Sequence, residues 1–365
     1  MATSLWKRFL ISLSQPATPR RPERVQLAVE TMEARLVPTV FASVDGAGVL
    51  QVTTNSGDDV TIDHTGPSFG GTTLVNGSQF LDSTIGSIHI HGGFNNVNIV
   101  ATSKALVADD NGFFTVGSAN VDHNGNLTRG FGNMQRILEP LFLGTANKVN
   151  LDDSNDPNFQ ILTLDVQPDG VEVRNMAPGE IFVTVQGGPL NTDVLRNLNL
   201  FGGSGGNVFK VLDTPAAFLF FTNVTTTSIN TGTAGDIVDV LGSHSAQLNI
   251  NGGGFFSNHD FVDIGNGNGN LAFIQSPIKI TNPPSFTELE VNALNDTSFE
   301  NVTMSIANGV GTIHGLTPRD ITYNVGDVSN VIALGGNGGS TFTVQDTFKN
   351  PSFGSGFNST EIDPG

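Results

Sequence analysis

The sequence predicts an all-β protein built as a parallel β-helix or related β-solenoid, with one amphipathic helix near the N-terminus. Three observations predict it. A Gly-rich unit, Gly202 to Thr214 (GGSGGNVFKVLDT), returns as Gly335 to Thr347 (GGNGGSTFTVQDT), identical at eight of thirteen positions. Short runs of period-two alternation, separated by Gly, Asn and Asp, fill the chain from Val40 onward, as half-buried strands require. Two of these runs, Asp236-Ile237-Val238-Asp239-Val240 and Asp260-Phe261-Val262-Asp263-Ile264, lie 24 residues apart. A period in the low twenties suits one coil of two or three short strands and their turns. At that period about six coils fit between the two Gly-rich units.

Composition agrees. The 365 residues include 44 Gly and 26 Phe and are 38% apolar, enough for a core of Val, Ile, Leu and Phe. Gly costs roughly 1 kcal/mol per helical site, and Asn and Thr favour turns and strands. The net charge of −18 is unevenly spread: residues 1–39 hold six Lys and Arg against three Glu, leaving ten basic and 31 acidic residues in the rest. An acidic body repels phosphate backbones, so nucleic acid is not an expected partner. The absence of cysteine excludes disulfides, thiolate metal sites and a cysteine nucleophile. No run reaches the ~18–20 apolar residues of a transmembrane helix, so no transmembrane span is expected.

Taken in order, Leu5 to Leu13 is apolar but broken by Lys7 and Arg8, a poor secretory h-region. In Arg20 to Phe41, Val25, Val29, Met32 and Leu36 fall at helical spacing between Pro22 and Pro38, which predicts the one helix. A basic cluster followed by Leu27, Val29-Glu30, Met32-Glu33, Arg35-Leu36 and Pro38 resembles the N-terminal signature of exported planctomycete proteins, L-x-V-E-x-L-E-x-R-x-L-x-P. It departs from that pattern in having Met32 where Leu is usual and one residue fewer before the proline. The same segment reads independently as an amphipathic helix packed on the end of the β domain. Residues 1–39 are therefore expected to be a basic export or sorting segment, residues 40–347 a degenerate solenoid body, and residues 348–365 a disordered tail of turn formers.

Within the body the expected strands are VLQVTT, DDVTIDH, SIHIHG, NNVNIVA and FFTVGS, then NLNLFG, VFKVLD, TSINTG, QLNING, LAFIQ and PIKIT. Phe113 to Leu143 is unassigned, with a short helix or cap within NMQRILEPLFLG. Asn150 to Asp156 reads as loop. The block Gly205 to Asn266 is similar to repeats of large planctomycete surface proteins, in which Gly-Gly-x-x-Phe-x-Val opens a unit and Asn-Thr-Gly precedes an Asp-x-Val-x-Val strand. That resemblance implies a secreted or wall-associated solenoid. Because the second copy stops after Asp346-Thr347, the chain is expected either to end within a repeat or to be a piece of a longer one.

Four patterns in the sequence bear on chemistry. GGSGGN and GGNGGS are close to a calcium-binding nonapeptide turn, but Asn207 and Ser340 stand where its aspartate belongs, which favours plain Gly corners. Asp152, Ser154 and Asp156 have the spacing of an EF-hand start, without the Gly at position six or the Glu at twelve, where Thr163 stands. His89 and His91 alternate on a strand and so share a face, a metal-capable pair lacking an identifiable third ligand. The remaining histidines, His64, His123, His244, His259 and His314, read as loop residues. Finally, Asp236, Asp239, Asp260 and Asp263 could serve a carbohydrate-active β-helix, with Asp239 and Asp263 stacked in adjacent coils. Basic partners are scarce there, and only Trp6 and Tyr323 add to Phe as sugar platforms.

No residue is therefore assigned to catalysis, cofactor or metal. The expected function is an exported structural or adhesive solenoid at a bacterial cell surface, contacting envelope or extracellular polysaccharide or protein. The alternative is a polysaccharide lyase or hydrolase-like β-helix.

Overall fold

The computed structural model describes residues 40–365 except 68–69, 110–111, 119, 123, 129–131, 187–193, 220–221, 255–257, 266–269 and 348–358, and leaves out the side chains of 55, 56, 94 and 95. The predicted N-terminal helix lies outside the described residues. Among the described residues strand is the dominant regular structure, as the alternation requires, and the helical elements are short 3-10 turns. The chain opens with β1 (Phe41–Val44), the long β2 (Val49–Thr65), the hairpin β3 (Thr72–Val75) and β4 (Ser78–Leu81), and a second long strand, β5 (Ser87–Ile99). Then follow β6 (Ala105–Ala108), β7 (Phe113–Val116), β8 (Leu141–Leu143), β9 (Lys148–Asp152), β10 (Ile161–Gln167), β11 (Gly170–Arg174), β12 (Ile181–Thr184), β13 (Asn197–Phe201) and β14 (Val208–Val211). After the small hairpin β15 (Phe218–Leu219) and β16 (Thr222–Asn223) come β17 (Thr226–Asn230), β18 (Ile237–Val240), β19 (Gln247–Asn251), β20 (Asp260–Ile264), β21 (Ile278–Thr281) and β22 (Thr287–Asn292). The chain closes with β23 (Glu300–Ala307), β24 (Val310–His314), β25 (Ile321–Asn324), β26 (Val328–Leu334), β27 (Ser340–Val344) and β28 (Ser359–Asp363).

These strands form two long sheets, because successive strands alternate between two parallel stacks. Sheet I runs from the first half of β2 through β5, β6, β8 and β12, turns through β11 and β10, and continues through β14, β18, β20, β22, β26 and β28. Sheet II runs from the second half of β2 through β5, β7, β9, β13, β17, β19, β21 and β25, then through β24 and β23 to β27. The strands β2 and β5 cross from one sheet to the other at a break in register after Thr54. Period-two alternation sends every second side chain inward. Leu198 and Leu200, Val238 and Val240, Leu248 and Ile250, and Leu289 and Val291 all meet in one continuous buried core.

The N-terminal edges are covered. β1 pairs antiparallel with the first half of β2 and β3 with the second half, closing hydrogen-bonding rows that would otherwise invite another chain. The β3–β4 turn carries Asn76 and Gly77, both at positive φ (47° and 83°), the mirror-type turn whose twist matches a hairpin.

The Gly-rich repeat belongs to a larger internal duplication. Asn155, Asp156 and Phe159 recur as Asn295, Asp296 and Phe299, and Pro178 and Ile181 as Pro318 and Ile321. Each set flanks a three-stranded antiparallel meander, β10–β12 or β23–β25, set into an otherwise parallel sheet. Even the isolated parallel bridges match, Thr102 to Ile137 in one copy and Ser243 to Ile274 in the other. Close approach explains the double glycines: a Cβ on Gly203 would lie 2.0 Å from the Asp156 carbonyl oxygen, and one on Gly336 2.3 Å from that of Asp296. The Asn-Asp corner of one coil thus sits against the Gly-Gly corner of the next.

Four expectations need correction. Between the two Gly-rich units the described strands complete four coils, not six, from β14 through β18, β20 and β22 to β26, because loops and a meander lengthen each coil. LAFIQ is not a strand: Leu271–Phe273 is a 3-10 turn capped by the Asn270 side chain, as Met134–Arg136 is by Asn133. Asn150 to Asp156 is only partly loop, since β9 extends to Asp152. The tail expected at 348–365 contributes β28, which pairs in parallel with β26 and lays Ile362 on the core.

Candidate functional site

At two candidate calcium turns the polar side chains are engaged in hydrogen bonds. Asn207, where an ion-binding turn would carry Asp, is buried and turns its amide NH2 toward the Gly203 carbonyl (3.3 Å), so it presents a donor to the turn. At the other candidate, the carboxylates are consumed by the chain itself. Asp152 accepts from Gly132 N and the Ser154 hydroxyl, Asp153 from Met134 N, and Asp156 from Asn158 N. The Gln160 amide bridges Asp153 (2.8 Å) and Asp156 (2.7 Å). This is a buried corner. Burial, reinforced by Asp156 and Asp152, pushes the Asp153 carboxyl up to about 7 despite the bond from Met134.

The four acids of the carbohydrate reading divide between two sides of sheet I. Asp236 and Asp260 point inward. Asp260 accepts from Asp236 N, the Thr231 hydroxyl and the Asn282 amide, while Asp236 accepts from Asn207 N. Burial raises Asp236 to about 7 and Asp260 to about 6. Asp239 and Asp263 point outward and are Cα partners in β18 and β20, as the 24-residue spacing implies, with Glu290 next in the stack. Burial, then Glu290 and Asp239, lift Asp263 to about 7. Tyr323, the one described candidate platform beyond Phe, is in the core.

His64, expected in a loop, is the penultimate residue of β2 and is buried. Its Nε2 meets the Asp82 carboxylate at 2.8 Å, and Asp82 also accepts from the Thr73 (2.8 Å) and Ser103 (2.6 Å) hydroxyls. Ser103 bonds the carboxylate rather than the imidazole, so this is no nucleophile–base relay of the kind hydrolysis needs. It joins β2, β3, the turn after β4 and the next coil. An open pocket of about 400 Å³ lies beside it, lined by His64, Thr65, Gly66, Gln135, Arg136 and Leu138. The Arg136 guanidinium there is already bonded to Asp63 (2.9 Å) and the His64 carbonyl (2.6 Å).

The remaining cluster is the one the strand pair His89 and His91 announced. Both project outward from β5, their rings 3.9 Å apart between centroids. Asp109, just after β6, spans them: Oδ1 lies 3.0 Å from His89 Nε2 and Oδ2 lies 3.0 Å from His91 Nδ1. The ligand atoms of the three residues lie within 4.8 Å of one another, and all three side chains remain open to solvent. Partial burial alone would raise the Asp109 carboxyl, but the bonds to His89 and His91 outweigh it and hold the group below the usual range. On its far side His91 Nε2 meets Gln51 Oε1, and Gln51 Nε2 meets Asp45 Oδ2 at 2.9 Å. Sequence spacing missed Asp109 because it sits one coil later. Beside His89, the Cα partners Val107, Phe142 and Phe182 form a partly exposed apolar row, with the Phe142 and Phe182 rings 6.4 Å apart.

Of the other described histidines, His244 meets Asp213 (2.8 Å), His314, at the end of β24 and not in a loop, meets Asp320 (2.7 Å), and the His259 ring lies edge-on to Phe286. His123 and Trp6 lie outside the described residues. Among the described residues no helix is long and apolar enough to cross a membrane. No protein-family model, curated protein or solved structure matches the chain.

Proposed function

We propose that the chain is an exported structural or adhesive β-solenoid acting at a bacterial cell surface, in contact with envelope or extracellular polysaccharide or protein. The internal duplication carries this reading: two copies of one unit extend the same pair of sheets. Phe159, between β9 of sheet II and β10 of sheet I, and Phe299, between β22 of sheet I and β23 of sheet II, are 60% and 62% exposed, apolar contacts available at both turns between the sheets. The acids that a glycosidase would bring together around a cleft are instead split between the inside and outside of sheet I. The basic segment at residues 1–39, with its likeness to an export signature, is the element that would direct the acidic body outward.

The test is paired expression, in the native host, of the full chain and a form lacking residues 1–39, with surface biotinylation of intact cells. The reading expects the full chain to be labelled and the shortened form to stay soluble inside and unlabelled. Full labelling of the shortened form would remove the sorting role, and an unlabelled full chain would remove the surface role.

A further inference from the structure

We infer that His89, His91 and Asp109 form a binding site for one divalent transition-metal cation of the zinc class, held outside sheet I. Asp45 sets the orientation, because its carboxylate can only accept hydrogen bonds. It therefore draws the NH2 of Gln51, and the amide must turn its oxygen toward His91 Nε2. An oxygen there requires Nε2 to carry the ring proton. In a neutral imidazole the lone pair then sits on Nδ1, 3.0 Å from Asp109 Oδ2, which is also an acceptor. Lone pair facing carboxylate is repulsive unless a positive charge lies between them, and that charge is either a second proton or a metal ion.

The spacing fits a metal. Bonds of about 2.0–2.2 Å to nitrogen and oxygen in a tetrahedron place neighbouring ligand atoms about 3.3 Å apart; each Asp109 oxygen lies 3.0 Å from one ring nitrogen and the three ligand atoms lie within 4.8 Å of one another, so small side-chain rotations bring them onto one ion. Two imidazoles and a carboxylate are a borderline donor set, which suits Zn2+ and its neighbours and not the all-oxygen shells of Ca2+ or Mg2+. Three protein ligands leave the fourth position to water or an outside group. Gln51 supplies the outer contact that fixes tautomer and ring orientation.

The second copy provides an internal comparison. Ile90 pairs with Ala108 in the first copy as Ile229 pairs with Ile250 in the second. On that register Ser228, Asn230 and Asn251 stand where His89, His91 and Asp109 stand. Asn251 donates to Asn230 (3.2 Å) and Asn249 to Ser228 (3.3 Å), an uncharged ladder at the same place in the coil. The coil therefore closes without imidazole or carboxylate, so these groups in the first copy are not a requirement of the fold.

The test is calorimetric titration of the full chain with ZnCl2, with bound zinc counted after dialysis. One zinc per chain is expected, with affinity rising from pH 5.5 to 7.5 as protons are displaced, and excess CaCl2 should not compete. The triple variant His89→Ser, His91→Asn, Asp109→Asn copies the second repeat and so keeps the fold, verified by an unchanged circular dichroism spectrum; it should lose the site. Gln51→Ala should weaken binding about 10–100-fold, and His244→Ala should leave it unchanged. No zinc bound by the full chain, or zinc bound equally by the triple variant, would overturn the inference.

Discussion

Replacing Asp82 with Ala should cost the body about 3–5 kcal/mol, the range for removing one partner of a buried charged network. Asp82 is 3% exposed and collects His64, Thr73 and Ser103. Its loss leaves an imidazole and two hydroxyls buried without their acceptor, and each orphaned group carries its own desolvation penalty. Burial alone would raise the Asp82 carboxyl, but the bonds from Ser103, Thr73 and His64 hold it below the ordinary range, which indicates that it is ionised in the fold. Because these partners tie the β3–β4 hairpin to the next coil, the damage should begin at the N-terminal end. Chemical denaturation of Asp82→Ala, read with amide exchange, should show a large loss of stability and early exchange at Thr72–Leu81. A loss under 1 kcal/mol would mean that the network does not hold the cap.

The second large effect is on pH dependence. Asp153, Asp236 and Asp263 are raised to about 7 and Asp260 to about 6, in each case chiefly by burial, while an unfolded aspartate titrates near 3.8. The folded chain therefore binds more protons than the unfolded chain between roughly pH 4 and 7, and stability must fall as pH rises through that window. Asp82 works in the opposite sense, but its contribution is lost only in acid below the usual carboxylate range. At about 1.4 kcal/mol per pKa unit, Asp236 alone is worth on the order of 4 kcal/mol. The body should melt at a distinctly higher temperature at pH 5 than at pH 8, and Asp236→Asn should shrink the difference by stabilising the protein at pH 8. A melting temperature that is flat or rises from pH 5 to pH 8 would contradict the assignment of these groups as buried acids.

What the sequence revealed was what repeats locally. Period-two alternation located most strands, and the 24-residue interval placed Asp239 beside Asp263 because the chain between them makes one coil. Long-range features were hidden where coil length varies. Asp109 reaches His89 and His91 from the next coil, and no fixed spacing announces it. Asp82 is brought to His64 by a hairpin, so its role depends on a cap rather than a motif. The meander β23–β25 leaves a signal in Asn308-Gly309, both at positive φ, the dipeptide that favours a tight hairpin turn. The Gly-rich units were legible as turns, but their reason, close approach to the Asp156 and Asp296 carbonyls, required the neighbouring coil.

Each coil adds one strand to sheet I, and four coils separate β14 from β26. Because the protein has no cysteine, a nitroxide pair can be placed cleanly at Lys210→Cys and Ile332→Cys, outward positions linked through Asp239, Asp263 and Glu290 in sheet I. Four strand spacings of about 4.8 Å predict an electron–electron distance near 19 Å. A distribution centred near 29 Å, as six coils would give, or one too broad to have a centre, would contradict it.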